Sequence, residues 1–562
     1  MSATPTHPST LLFLAGLAGS ITAGAASASV LTPANVIAAR GLQVPGMAPG
    51  VTWGALNNPS VAADGRVLFS GGLVGVPAVN NLGIFTGTSA ANVATLIQSG
   101  QAAPGGPAGA TLDLAGSSTG FQASSAKINA DGLISFVSLF TGGGAVPNVD
   151  NWGVFIGTAS GGVTMAVRRG AAAPGTAGAV LNTTFSTSPS GIPMNGSGQL
   201  YFGASLSGGD VLADSNNSGI FGGAPGALSL IARRGAAAPG VSGGTFGSLS
   251  SPFLAANRSG QLLFTNTLNA TGGVTSANDA VVYMHTPGSG LTLMVREGDA
   301  APGTAGASFG GSFLMTNSNF NNAGQAAVNV TLTGGDVVGT TNNSAVYVLS
   351  TSGPTLAWRA GAAAPGTDAQ FLSTNSFGLS MTNAGTIALP AALTGGTTTA
   401  TNDSGIWYGP VGALQMIARE GDAVPTLNAT FGGMGTAGIR ANGAGQLAFN
   451  VPMLSSDTNL NNKQVLMAYD PSAGLFPIVY AGEQIEIAPG VFKTVSGFQY
   501  QASNNADGSP LALSETGWLT LKITTTDSTD VIVRYAIPSP ASASLLAAGG
   551  MLMARRRRSI NR

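Results

Sequence analysis

The 562-residue chain has no cysteine, only two histidines, and charged side chains at 8% of its positions. Without cysteine there is no disulfide and no thiolate-held metal, so the fold must be held by packing alone. A Ser-His-Asp triad or an imidazole general base would have to use His285, because His7 falls in a leader expected to be removed. One histidine and no cysteine also leave too few ligands for a structural zinc site, and no cofactor is expected. Scarcity of charge is not disorder here, since 44% of the residues are hydrophobic. Nor is there a basic excess. The formal charge is −1, and five arginines (Arg555, Arg556, Arg557, Arg558 and Arg562) sit in the last eight residues. Without them, 16 basic residues face 22 acidic ones, a balance that argues against a nucleic-acid partner.

Glycine is abundant, 84 residues, and its distribution is periodic. One marker is a basic or polar residue followed by Gly, Ala and Pro-Gly. It reads ARGLQVPG at Arg40, QSGQAAPG at Gln98, RRGAAAPG at Arg168 and Arg233, REGDAAPG at Arg296, RAGAAAPG at Arg359 and REGDAVPT at Arg419. A diverged copy, AGEQIEIAPG, starts at Ala481. A second marker is Asn-x-x-Gly before an apolar strand, as in NADGLISF, NGSGQLYF, NRSGQLLF and NGAGQLAF. Its glycines are Gly65, Gly132, Gly198, Gly260, Gly324, Gly385, Gly445 and Gly517. Four residues after each stands Phe69, Phe136, Phe202, Phe264, Val328, Leu389, Phe449 or Leu521, always apolar, as a core-facing strand position should be.

A third marker (NNLGIF, DNWGVF, NNSGIF, NDAVVY, NNSAVY, NDSGIW) opens another strand, and a further strand leads into the Arg-Gly turn. A first strand is expected around Phe185, Phe246, Phe309, Phe371 and Phe431. These runs are short, rich in β-branched and aromatic residues, and bounded by Gly, Asn, Asp and Pro, with no helical period between the two ends. Gly supplies positive φ, Asn and Asp form Asx-turns, and Pro-Gly suits a type II turn. Four short strands cannot bury both faces of their sheet alone, but radial stacking buries them. The expected fold is therefore all-β: a propeller of about eight four-stranded blades, with an open β-solenoid as the alternative. The exported chain begins with a fourth-type strand, 35–40, and ends with a third-type strand, 530–537. The count balances if those two ends pair in one sheet.

The ends read as address labels. LLFLAGLAGSITAG followed by Ala26-Ser27-Ala28 has the pattern of a secretory signal peptide, predicting a signal helix over 1–28 and a mature chain from Ser29. The repeat region then covers 29–537 and a C-terminal segment 538–562. That segment carries Pro538 and Pro540, an apolar helix shorter than a full membrane span, and Arg555, Arg556, Arg557 and Arg558. It resembles the PEP-CTERM sorting signals of bacterial surface proteins, with Ser539 where the family has Glu. The second marker resembles the NxxGxxAF tandem-repeat family of bacterial surface proteins. These resemblances imply signal peptidase and a C-terminal sorting enzyme as processing partners, a membrane anchor before processing, and a place at the cell surface. They imply no activity.

Two site readings remain. Arg168, Arg233, Arg296, Arg359 and Arg419 hold one position in five successive units and would form an arc in a ring. Guanidinium suits bidentate contact with carboxylate, so the arc could meet an acidic extracellular polysaccharide. Each Arg could instead brace its own turn or pair with Asp299 or Asp422. For a glycan-active enzyme, the candidate carboxylate pairs are Glu297 with Asp299 and Glu420 with Asp422. The series Asn81, Asn151, Asn217, Asp279, Asn343 and Asp403 is mostly neutral amide and reads as turns rather than a calcium loop. The expected function is a non-catalytic surface protein with a structural, adhesive or polysaccharide-associated role; the alternative is an enzyme acting on glycans.

Overall fold

Strands begin and end where the turn residues dictate. The computed structural model describes residues 29–115, 126–182, 192–315, 319–374, 378–435, 437–500 and 511–538. The expected signal segment 1–28 lies outside the described residues, as do Pro540, Arg555, Arg556, Arg557, Arg558 and Phe185. Helix is confined to short 3-10 turns among the described residues, such as Pro33–Asn35, Ala78–Asn80 and Ala90–Asn92. None of the described helices is long and apolar enough to cross a membrane.

Eight antiparallel sheets follow one another along the chain, forming an eight-bladed β-propeller with four-stranded blades. In the third unit the strands are Val180–Leu181, Leu200–Ser207, Ser218–Ala224 and Ala227–Arg233, paired in sequence order. In five units the first strand comes in two pieces, both paired with the second strand. In the fourth unit these are Thr245–Phe246 and Leu254–Ala256, beside Leu262–Asn269. The eighth sheet draws on both ends of the described chain. Val36–Ala39 lies antiparallel to Asp530–Ala536, with Val36 opposite Val533 and Ala39 opposite Val531.

The position four after each marker glycine faces the core in all eight units, at most 1% exposed. Its partner on the third strand is usually aromatic. Phe69 faces Phe85, Phe136 faces Phe155, Phe202 faces Phe221 and Phe264 faces Tyr283, with ring centroids 5.1–5.7 Å apart. Three of the third-strand rings also reach the preceding Ala-Pro-Gly turn. Tyr283 and Tyr347 hydroxyls donate to the Pro239 and Pro302 carbonyls at 2.7 and 2.8 Å, and Trp407 Nε1 donates to Pro365 at 3.0 Å. The Pro-Gly marker is thus a packing device that ties one blade to the next.

The Asn-x-x-Gly turns lie at the hub. Contacts that skip a blade require closeness to the axis, and these turns make them. Arg258 in the fourth turn pairs with Asp131 in the second, and Asn383 in the sixth donates to Glu515 in the eighth at 3.0 Å. The first strand of each blade is therefore the inner one. All eight marker glycines have φ between +74° and +88°, the left-handed region. A Cβ on Gly260 would also lie 2.9 Å from Asn195 Nδ2 of the preceding blade.

Two outcomes are expected. Gly260→Ala should destabilise by about 1–3 kcal/mol, because the left-handed strain and the collision with Asn195 add together; a denaturation midpoint equal to wild type would contradict this. Deleting residues 29–40 should leave the Asp530–Ala536 edge bare. The expected result is a lower melting temperature with concentration-dependent aggregation, read by scattering during the melt.

Candidate functional site

The fourth strand of each blade ends at the Arg-Gly turn, on the face opposite the hub turns. The five in-register arginines lie there, all half-buried. Their Nε groups do one job. Arg168 donates to the Asp150 carbonyl, Arg233 to Asn216, Arg296 to Asn278, Arg359 to Asn342 and Arg419 to Asn402, at 2.6–2.9 Å. In the first unit Gln98 Nε2 takes the same role toward the Asn80 carbonyl. Each acceptor immediately precedes the third-strand marker residue, so the side chain clamps the loop between the second and third strands of its own blade.

Three arginines add a carboxylate. Arg233 grips Asp210 through two bonds of 2.7 and 3.1 Å, Arg359 grips Asp336 at 2.7 and 3.0 Å, and Arg168 meets Asp150 at 2.7 Å. Asp299 and Asp422 act otherwise than expected. They accept the backbone N–H of Arg296 and Arg419, at 3.1 and 3.0 Å, and so close the turn rather than pair with the guanidinium. The in-register arginines thus brace their own loops, and the sequence position marks a structural joint.

The remaining candidates are also accounted for locally. Glu297 accepts the Ala280 N–H at 3.3 Å, and Glu420 accepts the Ser404 hydroxyl at 2.7 Å, where burial raises its carboxyl above the usual range. Asn81, Asn151, Asn217, Asp279, Asn343 and Asp403 accept second-strand N–H groups through their carbonyls, at 2.6–2.8 Å, as turn residues do. Among the described residues no three His, Asp or Glu side chains gather as a metal site would require. His285 is half-buried on its strand, its pKa lowered by burial, and its Nδ1 has no hydrogen-bond partner among the described residues. Trp152, Trp358 and Trp407 are core residues, at most 3% exposed, and offer no platform for sugar stacking.

Two residues of chemical interest escaped the reading of the sequence. Lys127 and Arg440 occupy the same inner-strand position, two residues before the hub turn, where other blades carry Ser60, Ala255, Ser380 or Ala512. Both are almost wholly buried, and burial lowers Lys127 to about 8 and Arg440 to about 10. Aligning the units on the Asn-x-x-Gly marker would have exposed them.

A propeller with this repeat defines the class. The chain belongs to the family of unknown function DUF7453, which it matches over residues 9–354 and again over 257–544. No curated protein matches its sequence. Among solved structures it is similar to prolyl oligopeptidase B from Galerina marginata, at 10% identity and a TM-score of 0.37, covering 89% of this chain and 55% of that one. The chain thus spans about half the length of that peptidase. It is also similar to the β-propeller domain of the Trilobed protease from Pyrococcus furiosus (9% identity, TM-score 0.32, 72% of this chain and 92% of that one). A third is the α-L-arabinanase of Penicillium chrysogenum (12%, 0.25, 61% and 92%). These likenesses concern the fold alone.

The ion pairs carry a pH signature. Hydrogen bonding from Arg233 holds the Asp210 carboxyl below its ordinary value, and Arg359 does the same for Asp336. A carboxyl depressed in the folded state adds stability above its unfolded value of about 3.9 and loses it as pH falls through the folded value. The double variant Arg233→Gln/Arg359→Gln should therefore melt lower than wild type at pH 7, and the gap should narrow below about pH 4. A gap independent of pH would leave only the loop-clamping bonds as the cause.

Proposed function

We propose that the protein is an exported, non-catalytic propeller held at the cell surface, where it associates with extracellular polysaccharide. In this reading signal peptidase removes 1–28, a sorting enzyme acts on the segment from Pro538 onward, and the ring is closed by the pairing of its two end strands. The observation that carries the non-catalytic part is where the repeated polar side chains go. The in-register arginines clamp their own loops and the hub asparagines stitch neighbouring turns, so the repeat serves architecture rather than chemistry.

Geometry adds an orientation. The strand Asp530–Ala536 delivers the chain to the hub face, where Ile537 N–H donates to the Gly517 carbonyl at 2.9 Å. If the following segment anchors the chain, the hub turns toward the membrane and the face bearing the Arg-Gly turns looks outward. Val79, Leu212 and Val338, each 65–71% exposed, stand in the loops of that outward face. Polysaccharide contact then falls to the outward face and to the clefts between blades.

Intact-mass analysis of protein extracted from the cell surface tests the reading. A mature chain starting near Ser29 and accessible to added protease on whole cells is the expected result. Retention of the first 28 residues, or a wholly cytoplasmic protein, would overturn it.

A further inference from the structure

The fourth unit departs from the others at one position beside a cavity. Six residues after the marker glycine, seven units carry a small or aliphatic residue, such as Gly71, Ala204 or Val330, and the fourth carries Asn266. The residue is 7% exposed and its amide is engaged at both atoms: Oδ1 accepts the Gly247 N–H at 3.0 Å and Nδ2 donates to the Ser248 carbonyl at 2.9 Å. Asn266 thereby pins the segment 247–253, which interrupts the inner strand.

The space beside it lacks a link that two other units make. In the third unit Ser218 Oγ accepts the Leu249 N–H of the next blade at 2.9 Å, and in the sixth Ser404 does the same for Met434 at 2.8 Å. The fourth unit has Ala280 at that position, as the first and second have Leu82 and Trp152, and cannot make the link. The space lies between the third strand of the fourth unit, Ala280–Thr286, and the inner strand Ser308–Leu314, which forms the far wall. The resulting cavity measures about 440 Å³, within the range of small-ligand sites.

Its lining is specific in kind. Hydroxyls come from Ser251, Thr265, Thr267 and Ser312, and half-buried phenyl rings from Phe253 and Phe313, with no charged side chain in the wall among the described residues. A carboxylate guards the rim: an ideal Cβ on Gly311 would meet Glu297 Oε1 at 2.6 Å. Hydroxyl-rich walls with apolar ring faces suit a ligand that has many hydroxyls and C–H faces, and the nearby carboxylate disfavours an anion. We propose that the cleft between the fourth and fifth blades binds a neutral saccharide unit, and this rests on the polysaccharide-associated reading above.

The test is calorimetric titration of the full mature chain with maltotriose, cellotriose, trigalacturonate and a neutral Gly-Ser tetrapeptide. Ser251 is exposed at the mouth of the cavity, so Ser251→Trp fills it without touching the core. Expected are saturable binding of a neutral trisaccharide, none of trigalacturonate, and affinity at least about tenfold weaker in Ser251→Trp at an unchanged melting temperature. Equal affinity in wild type and variant, preference for trigalacturonate or the peptide, or no saturation by any probe would overturn the assignment. Capture of wild type and Ser251→Trp alike by extracellular polysaccharide would defeat the cavity and leave the surface reading standing. A cytoplasmic protein that still binds the trisaccharide through the cavity would do the reverse.

Discussion

The hydrogen bond from four of the five hub asparagines to the next blade is the constraint on which the ring depends. Asn129 Nδ2 donates to the Asn195 carbonyl, Asn257 to Asn321, Asn321 to Thr382 and Asn442 to Ser514, at 2.9–3.2 Å. The same side chains turn their Oδ1 inward, onto the N–H four residues on, as in Asn257 with Gln261 and Asn442 with Gln446, at 2.9 and 3.0 Å. One amide therefore fixes the shape of its own turn and the position of its neighbour. These groups are buried at 0–3% exposure, where an unmade hydrogen bond costs about 1–3 kcal/mol, so the geometry of each turn is tightly specified. Thr382 and Ser514 keep half of the device: their hydroxyls accept the N–H of Thr386 and Trp518, but hydroxyls are too short to reach across.

From that hub the blades fan outward with small demands on sequence. Aromatic pairs fill the middle of each sheet, and the Pro-Gly turn ties the third strand back to the preceding unit. At the outer face the Arg clamp holds the loop between the second and third strands. Strand identity in between can drift among Val, Ile, Leu, Phe and Tyr, which explains why low charge and abundant glycine suffice for a fold of this size.

Much of this was legible in the sequence because turn chemistry is local. The marker glycines require positive φ wherever they occur, and the apolar residue four positions later must face the core once the turn is set. The strand segments at the two ends were readable for the same reason. The arginines were located correctly, but their partners were not. Asp210 and Asp336 lie 23 residues upstream in loops whose sequence varies between units, whereas Asp299 and Asp422, nearer in sequence, point their carboxylates at backbone. Lys127 and Arg440 escaped notice because a buried cation in a strand looks like a solvated one until the neighbouring blade is in place. The cavity beside Asn266 was invisible because its walls come from segments that only the packing of neighbouring blades brings together.

Native-state hydrogen exchange at the hub tests the account most directly. If the asparagine stitches bind eight blades into one cooperative ring, the amides of Leu133, Gln199, Gln261, Gln325 and Gln446 should exchange only with global unfolding and with one common free energy. Graded protection, lowest in the terminal units and rising toward the middle of the chain, would contradict it, because that is the behaviour of an open array whose blades unzip from their ends.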